Sequence, residues 1–234
     1  MRGVNIAVLP ARGGSRRIPR KNVRPFCGKP IMAWPIETAL SSGLFDRVIV
    51  STDDAEIRDV AQRHGAECPF ERPPALADDH ATTADVMAHA ARWAADAGLS
   101  ADAICCMYPT AVFADAADLR RGLEALQSGA WAFAVAATES EAPIFRSFRQ
   151  REDGGLEMLF PEYFDTRSQD LPRVLHDTGQ FYWGRPSAWL AKQRIFDRWS
   201  VPVVIPKSRV QDIDDPDDWR RAELMFRQLK EGAA

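Results

Sequence analysis

Residues 5–22 read NIAVLPARGGSRRIPRKN. The apolar run Ile6–Leu9 has the length and composition of a buried strand. It empties into a turn carrying Gly13 and Gly14, and then into a strongly basic loop. Residues 12–24 hold Arg12, Arg16, Arg17, Arg20, Lys21 and Arg24, whereas the first acidic residue of the chain is Glu37. The glycines let the backbone approach a ligand closely and aim N–H groups at it. Guanidinium forks beside such a turn match phosphate oxygens. The stretch therefore outlines a nucleotide-phosphate site at the end of a strand. It is neither a Walker loop, GxxxxGK[ST], nor the dinucleotide pattern GxGxxG. Pro19 and Pro25 predict an extended loop rather than a helix after Ser15.

Outward from this stretch the apolar pattern alternates. Helix-like segments at 32–41, 54–63, 83–97 and 115–127 separate strand-like runs at 47–51, 103–107 and 130–137, and the helices stop at Gly43, near Gly65, at Gly98 and at Gly129. This β-α-β-α order predicts a mostly parallel sheet with helices on both faces. Ligands of such sheets lie beyond the carboxyl ends of the strands, so the loops beginning at Ala11, Thr52 and Tyr108 should share one rim. Asp53 and Asp54 belong to that rim, where each could support the site or cap the following helix.

Near the other end stands QDIDDPDDW, residues 211–219. In an extended segment Asp212 and Asp214 would point to one side, with a single Ile between them. Hard carboxylate oxygens at this spacing suit Mg²⁺ held jointly with substrate phosphates. Asp215 and Pro216 read as an N-cap and first helical residue, with Asp217 and Asp218 favouring the helix dipole.

Residues 139–176 break the alternation. Pro143, Pro161 and Pro172 interrupt them, Gly154 and Gly155 form a turn, and Phe145, Phe148, Phe160, Tyr163 and Phe164 follow no helical period. A hairpin of 145–149 with 156–159 is expected. The aromatics lack a local core partner and point to contact with something else.

The 234 residues carry 30 Lys and Arg against 33 Asp and Glu, a net charge of −3, so bulk attraction to nucleic acid is not expected. Cys27, Cys68, Cys105 and Cys106 form no CxxC, and the last two fall in an apolar run, which reads as buried thiols. There is no signal-peptide pattern, and no apolar stretch approaches the ~18 residues of a membrane span. A reducing cytoplasm is the expected setting.

ARGGSRRIPRKN at 11–22 resembles the signature of the CMP-sugar synthetases, cytidylyltransferases that activate acidic keto-sugars. Further matches follow in order: GKPIMAWPIETAL at 28–40, FDRVIVSTDD at 45–54, ERPPALADD at 71–79, YPT at 108–110, DTGQFYW at 177–183 and QDIDDPDDW at 211–219. The resemblance covers nearly the whole chain. Its wording at 17–30, 108–113 and 176–184 is most similar to the branch acting on pseudaminic acid. It implies a Rossmann-like three-layer α/β/α fold, one nucleotidyltransferase domain over 1–234, and an inserted dimerisation arm at about 139–176. It also implies CTP and an acidic nine-carbon keto-sugar as substrates, Mg²⁺ as cofactor, and a homodimer acting on neither nucleic acid nor membrane.

By the same resemblance Ala11, Arg12, Gly13, Gly14, Ser15, Lys21 and Asn22 take the nucleotide and its phosphates, with Lys21 and Arg12 stabilising charge during transfer. Arg16, Arg17 and Arg20 are additional cations of that loop. Arg72 and Thr83 fall near the cytosine, and Tyr108, Asp177, Gln180 and Tyr182 on the sugar side. Asp212 and Asp214 would hold the metal and take part in catalysis. The sequence departs from the family pattern at Arg16, where lysine is common, and at Val112, where proline is common. Legionaminic and N-acetylneuraminic acid are alternative sugars. A non-catalytic nucleotide-binding regulator is the alternative of another class, against which the intact Lys21, Asp212 and Asp214 speak.

Overall fold

The computed structural model describes residues 3–78, 80–140 and 142–232; Asp79, the last residue of the 71–79 motif, lies outside them. Strand β1 (Val4–Pro10) is followed by a minimal hairpin, β2 (Pro25–Phe26) with β3 (Lys29–Pro30), and by helix α1 (Ala33–Ser41). Then come β4 (Arg47–Ser51), α2 (Ala55–Arg63), α3 (Thr83–Asp96), β5 (Ala101–Met107), α4 (Ala116–Gln127) and β6 (Phe133–Glu139). The remainder is β7 (Phe148–Gln150), β8 (Leu156–Met158), β9 (Leu175–Gly184), α5 (Pro186–Leu190), β10 (Ser200–Val204) and α6 (Pro216–Glu231).

The central sheet has the order β10-β6-β9-β5-β1-β4. All its pairings are parallel except those of β9, which runs antiparallel to both β5 and β6. Its interior strands are apolar on both faces because both are covered. One face packs Met32 at the N-cap of α1, Ile36 of α1, Ile57 and Val60 of α2, and Leu119 and Leu126 of α4 against Leu9, Cys105 and Trp183. The other packs Met87, Ala90 and Ala94 of α3 and Trp189 of α5 against Ile6, Ile104 and Tyr182. A third apolar group joins the β2–β3 hairpin to α6 through Phe26, Ile31, Ile213, Trp219 and Phe226. Cys105 and Cys106 are buried free thiols.

Helix starts follow side-chain chemistry. Asp54, Thr82, Asp115 and Asp215 are N-caps, and Thr82 with Asp85 and Asp215 with Asp218 complete capping boxes. The expected stops at Gly43, Gly65 and Gly98 are left-handed, whereas Gly129 is not. β6 starts three residues later than expected, at Phe133. The expected hairpin forms from shorter strands, because Ile144–Arg146 is a 3-10 turn set up by Pro143.

Besides the β2–β3 hairpin, two strands of the central sheet were not expected. β9 contains the polar His176, Asp177 and Gln180, and Gly179 interrupts its alternation with a φ of 62°. β10 contains Pro202, which is tolerated because the strand is at the sheet edge. Residues 139–176 leave the sheet after β6 and return as β9. Here the expectation of unpartnered aromatics is corrected for Phe145, which packs on Phe160 and Tyr163 with centroids 5.2 and 4.6 Å away. Phe148, Leu156 and Phe164 remain exposed, at 61%, 66% and 69%.

Candidate active site

The ends of β1, β4 and β5 meet the start of the antiparallel β9 along one rim, and the 210–214 segment crosses it from β10. Ala11, fully buried, donates its N–H to the Ser51 carbonyl at 2.9 Å and so ties the first loop to the end of β4. Asn22 is buried and donates from Nδ2 to the Arg12 carbonyl at 2.9 Å, folding the basic loop back on itself. Gly13 donates its N–H to Asp53 Oδ1 at 3.2 Å. A Cβ at Gly13 would stand 2.7 Å from Asp54 Oδ2, whereas one at Gly14 would meet nothing within 4 Å.

The cations of the loop separate into different tasks. Arg20, at φ 57°, grips Asp54 with both terminal nitrogens, at 2.6 and 2.9 Å, and also pairs with Glu56. It is a strut to α2, and this removes it from the set of cations facing phosphate. Its hydrogen bond holds the Asp54 carboxyl at about 2. Asp53 and Asp54 therefore share the two roles open to them: Asp53 supports the glycine turn and Asp54 caps α2.

Arg12, Ser15, Lys21, Asn22, Tyr108 and Asp214 line a cleft of about 420 Å³, together with Arg16 and Arg17. Lys21 reaches across it, donating from Nζ to the Ile213 carbonyl at 2.7 Å, and stands 3.8 Å from Asp214. Burial lowers the Lys21 pKa, and Asp214 and Asp212 oppose the shift. Arg17 pairs with Asp214 at 2.7 Å.

Between Asp212 and Asp214, Ile213 is fully buried in the α6 cluster and anchors the acidic segment. Asp214 opens into the first cleft. Asp212 lines a second cleft, about 400 Å³, with His176, Asp177, Lys207 and Gln211. The pair thus straddles the boundary of two clefts instead of facing one side only. Burial, then the charge of Asp214, pushes the Asp212 carboxyl up. Among the described residues no cluster of three or more His, Cys, Asp or Glu could hold a metal. Two crowded carboxylates nevertheless fit a hard cation whose remaining positions are filled by phosphate oxygens and water.

The residues expected on the base and sugar side are coupled. Arg72 is 3% exposed and donates to Ser51 through Nε, at 3.2 Å to the hydroxyl, and through Nη2 to the carbonyl. Burial brings its pKa down to about 10. Thr83 Oγ1 and the Tyr108 hydroxyl are 2.9 Å apart, and the Tyr108 ring meets Tyr182 edge-on at 5.6 Å. The Tyr182 hydroxyl donates to Asp177, whose other oxygen accepts the Gly179 N–H at 3.0 Å. Burial raises the pKa of both tyrosines. Gln180, 3% exposed, donates from Nε2 to the Arg209 carbonyl at 2.7 Å and leaves Oε1 without a partner among the described residues. His176 is exposed, its Nδ1 2.8 Å from the Asp177 carbonyl.

Sequence reasoning missed Thr110 on the first cleft, Lys207 on the second, and Arg209, whose carbonyl accepts the Gln180 amide. Single polar residues in loops carry no periodic signal.

The family model described as "Cytidylyltransferase" matches residues 6–148. The chain is 40% identical, over 98% of its own length and 99% of the relative's, to the pseudaminic acid cytidylyltransferase of Campylobacter jejuni. It belongs to the cytidylyltransferase family. The N-acylneuraminate cytidylyltransferase of Escherichia coli is 28% identical, over 95% of this chain and 52% of that protein. In fold, this cytidylyltransferase is similar to the CMP:2-keto-3-deoxy-manno-octonic acid synthetase complexed with CTP. The TM-score is 0.71 at 17% identity, covering 97% and 99% of the two chains. No helix among the described residues is long and apolar enough to cross a membrane.

Proposed function

We propose that this cytidylyltransferase converts CTP and pseudaminate to CMP-pseudaminate and pyrophosphate. The full-length similarity to the C. jejuni enzyme carries this reading. The anomeric oxygen of the sugar attacks the α-phosphorus in line, the bond from that phosphorus to the bridging oxygen breaks, and pyrophosphate leaves. The hydroxyl proton passes to a carboxylate or to water.

With few covalent tasks for the protein, alignment and charge neutralisation dominate. Arg12, Ser15, Lys21 and Asn22 cradle the phosphates, and the Gly13–Gly14 backbone admits them closely. Lys21, largely buried and hydrogen-bonded to the Ile213 carbonyl, neutralises charge on the transferring and leaving groups. Ala11 anchors the loop. Arg72 and Thr83 position the base, while Tyr108, Asp177, Gln180 and Tyr182 shape the sugar side. Asp212 and Asp214 would hold Mg²⁺, which neutralises phosphate charge when bound. The protein acts in the cytoplasm as a homodimer joined through the arm at about 139–176, whose exposed Phe148, Leu156 and Phe164 form the contact.

The test is competition between pseudaminate and N-acetylneuraminate at equal concentration, with products resolved by chromatography. Catalytic efficiency should favour pseudaminate by at least ~10², the scale set by polar groups left unpaired in a site. Equal yields, or more CMP-N-acetylneuraminate, would reject the sugar and leave cytidylyl transfer standing.

A further inference from the structure

Arg209 touches neither cleft, yet three parts of the rim converge on it. Its side chain is 21% exposed, and Nη1 hydrogen-bonds to Asp115 and to Asp118, each at 2.5 Å. Those two acids are the N-cap and first turn of α4, the helix that begins directly after the Tyr108 loop. The Arg209 carbonyl accepts the Gln180 amide, which reaches it from β9. Along the chain, Arg209 ends the 3-10 turn Lys207–Arg209 and immediately precedes residues 210–214.

Charge compensation alone does not require this arrangement. Asp118 is 2% exposed and needs a cation, but Arg121 also binds it. Asp115 is 47% exposed and is partly solvated. What the guanidinium adds by spanning both acids is a fixed position for its own backbone. That backbone is where the Gln180 amide is oriented: Nε2 is used by the protein, and Oε1 is the atom left to accept a donor.

We propose that Arg209 is a positioning residue for the sugar side of this reaction, bracing the Gln180 amide against the start of α4. The proposal rests on the sugar-activating reading above. Because displacement of about 1 Å at remote positions can cost ~10² in rate, loosening this brace should lower sugar turnover with little effect on the basic loop.

The experiment uses the full chain with CTP, Mg²⁺ and pseudaminate. Arg209→Met removes the brace. Asp115→Asn weakens it while keeping the helix cap, since Asn caps as well as Asp. Expected are losses in kcat/KM for the sugar of ~30-fold and ~5-fold respectively, with partial recovery in Arg209→Lys. The CTP dissociation constant, measured by calorimetry without sugar, should stay within about threefold of wild type. Sugar efficiency within about twofold of wild type in the folded variants, or CTP affinity falling as far as sugar efficiency, would overturn the proposal. If Arg209→Met does not fold, Asp115→Asn decides by the same criteria. Wild-type enzyme that makes only another CMP-sugar would reject the pseudaminate reading, and the variants are then compared on that sugar.

Discussion

The Lys21 ammonium lies 3.8 Å from the Asp214 carboxylate and donates to the carbonyl of the residue just before it. The two ends of the chain are thereby joined at the mouth of the first cleft. This contact fixes a cation from the strand-and-loop start of the fold against the acidic segment preceding its last helix.

If that acidic segment holds the metal, Asp212→Asn and Asp214→Asn should each reduce turnover by ~10² or more. The fold should be preserved, since both residues precede the α6 cap. Chelation with EDTA should abolish activity and Mg²⁺ restore it. Steady-state assays of both variants check this, and near-normal turnover in both would remove the metal site.

Gly13 and Gly14 should fail differently. A methyl group at Gly13 runs into Asp54, which cannot swing away because Arg20 and the Ile57 N–H hold it. Gly13→Ala should therefore lower the melting temperature. Gly14 has open space, so Gly14→Ala should melt like wild type and weaken only CTP binding. Thermal melts beside CTP titrations separate the two; identical melting of all three proteins would contradict the crowding at Gly13.

The Arg20–Asp54 pair makes acid stability predictable. The Asp54 carboxyl is held at about 2 in the folded protein against an ordinary 3.8. A depressed folded pKa contributes stability that is complete above the unfolded value and is lost as pH falls through the folded one, here between about 4 and about 2. Asp54→Asn keeps the cap and removes this titration. Calorimetry from pH 6 downward should show wild type losing its advantage over the variant in that window. Parallel curves would place the titration elsewhere.

The arm offers a contrast between two phenylalanines. Phe148→Ser or Phe164→Ser should raise the dimer dissociation constant by ~10-fold or more, the effect of exposing one apolar ring. Phe145→Ser should instead loosen the arm itself, because Phe145 packs on Phe160 and Tyr163. Sedimentation across the micromolar range provides the readout, and a wild-type monomer with full activity would refute assembly through the arm.

Much of this was legible in the sequence, and the exceptions have causes. The apolar period revealed β1, β4, β5 and helices α1 to α4, because two-sided burial leaves continuous apolar runs and one-sided burial leaves amphipathic stripes. It did not reveal β9, where residues serving the rim occupy strand positions and Gly179 breaks the alternation. Capping read Asp215 and Pro216 correctly because that chemistry is local. Charge alone could not sort Arg20 from Lys21: one is a strut to α2 and the other faces the cleft, and only the position of α2 separates them. Arg209 was invisible for the same reason, since its partners lie about ninety residues away.

The antiparallel β9 has a further consequence, for synthesis. It sits in the middle of the sheet, between β5 and β6, but is made after both. A chain emerging from the ribosome has β4, β1 and β5 ready to pair while the neighbour that separates β5 from β6 is still missing. Until residues 175–184 are released, β5 presents an apolar open edge, the kind of surface on which nascent chains stick to one another. The strand that brings Asp177 and Gln180 to the rim is thus also the one whose arrival joins β5 to β6, with β10 and the acidic 210–214 segment following it along the chain.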